Sequence, residues 1–83
     1  MVSFTYTIQS AQGLHARPVV EIARVASTCK SSVTVACGDA SSDGADMMGL
    51  MAFNARCDDV LAITVDGPDE QSAAEALKAV LTF

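Results

Sequence analysis

Two apolar periods alternate along this chain, and that alternation restricts the fold more than any other feature of its sequence. Val2, Phe4, Tyr6 and Ile8 are separated by Ser3, Thr5 and Thr7, the period of a strand with one buried face. Between Arg17 and Thr28 the period changes. Val19, Ile22, Ala23 and Ala26 recur at helical spacing and leave Glu21 and Arg24 toward solvent. Ser32 to Cys37 returns to strict alternation, with Val33, Val35 and Cys37 on one face. Gly38-Asp39 then forms a two-residue turn into a weak edge strand over 40–43. A further strand covers Val60 to Val65, where Leu61, Ile63 and Val65 share one parity. Asp69 is expected to cap a closing helix that turns Ala73, Ala76, Leu77, Val80 and Leu81 inward. Four strands and about three helices with short connectors predict an α+β fold, an antiparallel sheet with helices on one face. The pattern leaves the strand order open.

A chain of 83 residues suffices for one domain, expected over 1–83, with a modest core shared by every element. The start, Met1-Val2-Ser3-Phe4-Thr5-Tyr6, has neither a basic flank nor a long apolar run, so no membrane insertion and a cytoplasmic location are expected. Cys29, Cys37 and Cys57 are an odd number without metal-ligand spacing. They are read as reduced, mainly structural thiols, with no metal and no cofactor. Five basic against ten acidic residues give a net charge of −5, which argues against nucleic acid as a partner.

The only histidine lies in Gly13-Leu14-His15-Ala16-Arg17-Pro18, where a strand pattern hands over to a helical one. A side chain at a helix N-terminus sits among backbone N–H groups with no intrahelical partner, at the positive end of the dipole. An anion on the His15 ring would be held by those donors, with Ala16 supplying a backbone N–H and Arg17 a planar guanidinium. The ring lone pair is a nucleophile, so His15 is a candidate phosphoryl acceptor. Gly13 permits the sharp turn, Pro18 is tolerated where an N–H is not needed, and Leu14 is expected to anchor the loop. Taken alone, the run reads more readily as a capping histidine beside a solvated arginine, because short motifs match by chance.

A second candidate lies in Asp46-Met47-Met48-Gly49-Leu50-Met51. At about 100° per residue Met47, Met48 and Met51 fall on one arc and Leu50 and Phe53 on another, leaving a short helix apolar nearly all round. A small domain has no need to bury both arcs, and exposed methionines repack against several partners. The other reading is that all five are core.

Over essentially its whole length the chain resembles the HPr family, the histidine-containing phosphocarriers of the bacterial phosphoenolpyruvate-dependent sugar phosphotransferase system. The residues from Gly13 to Pro18 resemble its phosphorylation-site signature. Those from Asp46 to Met51 are similar to the segment around its regulatory serine. Ile63-Thr64-Val65-Asp66-Gly67-Pro68-Asp69-Glu70 matches its last strand and the start of its last helix. The resemblance implies an open-faced sandwich with strand order 1-4-2-3 and three helices on one face. It implies a monomeric carrier, not a turnover enzyme, that takes a phosphoryl group on His15 from phospho-Enzyme I and gives it to Enzyme IIA. Nδ1 is the accepting atom implied. Val20, Arg24, Met47, Met48 and Met51 become the partner-binding surface.

Two departures matter and a third, at Asn54 and Asp58, is neutral. Asp46 stands where many relatives carry the phosphorylated serine, so it either caps the helix or mimics part of a phosphoserine's charge. Ala40 and Ala45 stand where lysine is common, which weakens electrostatic steering toward acidic partners. Asn54 and Asp58 replace frequent glycines with residues that tolerate left-handed backbone. Alternatives are a carrier of a specialised phosphotransfer branch, or a regulatory binding module in which Asp46 imitates the seryl-phosphorylated state and docks a transcriptional regulator. No second histidine, nucleophile elbow or metal cluster supports a hydrolase.

Overall fold

The alternating first segment becomes strand β1 (Val2–Thr7), whose even-numbered residues turn toward the helices, in a computed structural model that describes residues 1–83. Helix α1 (Ala16–Thr28) follows, then β2 (Ser32–Cys37), β3 (Ala40–Asp43), helix α2 (Met47–Met51), β4 (Val60–Asp66) and helix α3 (Glu70–Val80). The four strands form one sheet in the order β1-β4-β2-β3, every neighbouring pair antiparallel. This is the expected α+β open-faced sandwich with strand order 1-4-2-3.

Register places like with like on the inner face. Phe4 pairs with Ile63 and Tyr6 with Leu61, while Val33 and Val35 of β2 meet Val65 and Ile63 from the other side of β4. Those valines, leucines and isoleucines join Val19 and Ile22 of α1, Leu50 of α2 and Leu77 of α3 in one core. Each fully buried aliphatic contributes roughly 1.5–3 kcal/mol over an exposed one, so the common face holds the two layers together. The turn Gly38-Asp39 joins β2 to β3 with two residues, as its composition predicts. Asn54 and Asp58 take φ of 51° and 75°, the left-handed backbone anticipated for both.

Cys29 and Cys37 are half-buried against the core and Cys57 is exposed; all three are free thiols. Burial pushes the Cys37 thiol up from its ordinary value, and the Asp59 carboxylate adds to the rise.

Two expectations about α3 are corrected. Ala73, Ala74 and Leu77 are buried, with Leu81 just beyond, whereas Ala76 is exposed. At about 100° per residue the buried four span an arc of about 100°, and Ala76 falls about 60° outside it. Asp69 occupies the N-cap position, but its side chain makes no cap hydrogen bond. Its carboxylate reaches the α1–β2 turn instead, accepting from the Lys30 backbone N–H at 2.9 Å and from the Ser31 hydroxyl.

Those donors, the Lys30 N–H first and the Ser31 hydroxyl next, hold the Asp69 carboxyl below its ordinary value of 3.8. A lowered folded-state value means the contribution is complete above pH 3.8 and is lost as pH falls through the folded-state value. Asp69→Asn is therefore expected to melt below the wild type at neutral pH, the gap closing in acid. Thermal melts of both proteins between neutral pH and acid check this; a gap that persists in acid refutes it.

Candidate functional site

Backbone geometry two residues upstream sets the position of His15. The segment after β1 is tied to the loop before β4 by Ile8 N–H to the Asp59 carbonyl at 2.9 Å and Asp58 N–H to the Ile8 carbonyl at 2.7 Å. Gly13 then turns with φ of 67°, and a Cβ built there would lie 2.2 Å from the Ala55 carbonyl oxygen. Only glycine permits both that backbone and that approach. Leu14 donates its N–H to the same Ala55 carbonyl at 3.0 Å and buries its side chain, the anchor its apolar character predicts. His15 follows as the N-cap residue of α1, in extended conformation and partly exposed.

The first helical hydrogen bond runs from Val19 N–H to the His15 carbonyl at 3.1 Å. Pro18 has no N–H, and the N–H groups of Ala16 and Arg17 have no acceptor within the protein. The start of α1 thus presents two free donors at the positive end of a helix of 13 residues. The Arg17 side chain is exposed and enters no ion pair; the side-chain cation that does is Arg24, 3.5 Å from Glu21. His15, Arg17, Pro18 and Glu21 of α1 face Ala79, Val80, Thr82 and Phe83 across a shallow cleft of about 320 Å³. These groups together can receive and hold a tetrahedral anion on the imidazole.

One ring nitrogen is engaged. His15 Nδ1 lies 2.9 Å from the Gly13 carbonyl oxygen. A carbonyl only accepts, so in this rotamer Nδ1 carries a proton and is the donor.

The burial of α2 divides as its periodicity predicts. Leu50 is fully buried and Phe53 half-buried, while Met47, Met48 and Met51 are 48%, 82% and 42% exposed. Val20, 43% exposed, extends the apolar surface on α1, which packs against α2. Asp46 caps α2: its Oδ1 accepts from the Gly49 N–H at 3.1 Å.

The helical pattern of α1 sets Glu21 toward solvent, and nothing in the sequence gives the end of α3 a role. Glu21 is half-buried in the His15 cleft, and its spacing of four from Arg17, one helical turn, was the signal that could have placed it there. No three His, Cys, Asp or Glu side chains converge into a set that could hold a metal ion, and no helix is long and apolar enough to cross a membrane.

Comparison with known proteins gives this geometry a family. The profile described as the PTS HPr component phosphorylation site matches residues 2–82. The phosphocarrier protein HPr of Treponema pallidum is 33% identical over 78 residues, 94% of this chain and 89% of that protein. A multiphosphoryl transfer protein of Xanthomonas campestris is 31% identical over 78 residues, 94% of this chain but only 9% of the relative's length. The solved structure of a Mycoplasma histidine-containing phosphocarrier protein superposes with a TM-score of 0.92 at 29% identity, covering 95% of this chain and 90% of the other. The Treponema and Mycoplasma proteins are described as phosphocarriers, and a regulatory binding module is not favoured. The chain belongs to the HPr family and is a phosphocarrier of the phosphotransferase system.

Proposed function

We propose that residues 1–83 act as one cytoplasmic carrier domain that accepts a phosphoryl group on His15 from phospho-Enzyme I and passes it to an Enzyme IIA protein. The observation that carries this reading is the partly exposed His15 ring at a helix start whose two N–H groups and neighbouring guanidinium have no other partner. As the N–P bond of the donor breaks, a lone pair on His15 forms the new one. A donor ring protonated on its other nitrogen leaves as neutral imidazole, and the His15 ring takes over the positive charge, so no proton moves in the transfer step itself. The Ala16 and Arg17 N–H groups and the Arg17 guanidinium steady the phosphoryl oxygens. The bond that forms and breaks belongs to the carrier, and no free small molecule turns over on it.

Nδ1 is the accepting atom that family membership suggests. Using it requires the ring to leave the Gly13 carbonyl and its proton to sit on Nε2. Losing that hydrogen bond costs about 1 kcal/mol, a modest barrier that docking of a partner can offset.

Incubation with phosphoenolpyruvate and Enzyme I is expected to add the mass of one phosphate, removed by mild acid because a phosphorylated imidazole is labile. An unchanged mass would refute the reading.

Met47, Met48, Met51 and Val20 form the surface that meets donor and acceptor in turn, with Arg24 at its edge. Asp46 adds a negative charge beside that surface. Serine also caps helices, so Asp46→Ser removes the charge and keeps the cap. Transfer from an Enzyme I with an acidic docking face is expected to accelerate roughly 2- to 5-fold at low salt and by less at high salt. Rapid-quench transfer kinetics at two ionic strengths check this; an equal or slower rate removes any inhibitory role for the Asp46 charge.

A further inference from the structure

One acidic side chain lines the cleft beside His15, and phosphoryl acceptance as described makes no use of it. Glu21 lines the same space of about 320 Å³ as His15 and Arg17. Its only ionic partner is Arg24, and that pair is loose: 3.5 Å apart, with side chains 38% and 65% exposed. Arg17 stays unpaired although Glu21 is four residues away. Cation first and acid second is the weaker order for such a helical pair, whereas Glu21 preceding Arg24 is the better one. Arg17 is thus left free for the phosphoryl group while Glu21 is held by Arg24.

A phosphoryl group brings about −1.5 to −2 charges into this space, which the positive charge taken over by the ring offsets only in part. Arg17 stabilises it and Glu21 repels it. We infer that Glu21 raises the transfer potential of the phosphoryl group on His15, with Arg24 as the counter-ion that moderates the effect. The unphosphorylated ring carries no such charge, so Glu21 acts on one state of the carrier and leaves the other nearly unaffected. A partner that engages Arg24 with its own carboxylate would unmask Glu21 in the docked complex and push the group onward. The inference rests on the carrier reading and adds to it a tuning residue that touches neither reacting atom.

The test is an equilibrium measurement on the full chain with Enzyme I, phosphoenolpyruvate and pyruvate at set ratios, the phosphorylated fraction being read by intact mass. The readout is the pyruvate-to-phosphoenolpyruvate ratio at which half the chain is phosphorylated. Enzyme I catalyses this exchange, so altered docking changes the approach to equilibrium and cancels from the midpoint. Charges separated by about the width of the cleft and partly screened by water lead to an expected rise in that ratio of roughly 2- to 5-fold for Glu21→Gln at low salt. The rise should fade at molar salt, where the screening length is about 3 Å. Arg24→Gln should lower the ratio in the wild-type background and leave it unchanged in the Glu21→Gln background. An unshifted or lowered midpoint for Glu21→Gln would overturn the inference, as would an Arg24→Gln effect that persists without Glu21. Failure of the unsubstituted chain to take any phosphate is a separate result, and it would remove the carrier reading itself.

Discussion

His15→Ala is expected to take up no phosphate from phosphoenolpyruvate and Enzyme I, a complete loss with little cost to the fold. The chain has no other histidine, so no second imidazole can substitute. The ring is only partly buried and its one hydrogen bond is to the Gly13 carbonyl, so its removal costs about 1 kcal/mol or less. The His15 side chain makes no cap bond to α1, and alanine therefore forfeits no cap. Intact-mass measurement after the same incubation, alongside a thermal melt shifted by about 8 °C at most, checks both halves. Uptake by the folded variant would move the acceptor elsewhere and refute the site. An unfolded variant would show that the ring carries structural weight its burial does not indicate.

The largest expected loss of stability comes from Gly13→Ala. Left-handed backbone costs a non-glycine residue about 1–2 kcal/mol. At φ of 67° the added methyl would also sit 2.2 Å from the Ala55 carbonyl oxygen and 2.8 Å from the Arg56 Cα. Both obstacles are backbone, so no side chain can rotate out of the way. The loop must lift, which stretches the 3.0 Å bond from Leu14 N–H to Ala55 and unseats the Leu14 anchor. The sum is about 2–4 kcal/mol, measurable by urea denaturation. Transfer should slow as well, since the lifted loop carries both the carbonyl that holds His15 Nδ1 and the entry to α1. Full stability in Gly13→Ala would mean that the turn opens freely, and His15 would then lack the fixed position assigned to it here.

Legibility from sequence followed the distance over which each feature is encoded. The extent of β2 and β3 and the split of α2 into a buried Leu50 and exposed methionines depend on neighbours within a few positions, and all were readable. The left-handed residues Asn54 and Asp58 and the cap by Asp46 are equally local. Capping is the nearest use for an aspartate before a helix, and that is the role the position of Asp69 suggests. Its actual donors, Lys30 and Ser31, are 39 and 38 residues away. Periodicity turns Ala76 inward, but the inward arc of α3 depends on where α1 and the sheet press on it, which periodicity locates only to within a residue or so.

By itself the sequence determined that strands and helices share one apolar face and that a lone histidine begins a helix beside an arginine. Periodicity and spacing carry that information along the chain. Only the tertiary structure decided that the end of α3 walls the cleft beside His15 and that the Asp69 carboxylate reaches Lys30 and Ser31. Those outcomes arise where segments far apart in sequence are pressed together by burial of a common core, and no local pattern records which polar groups then meet.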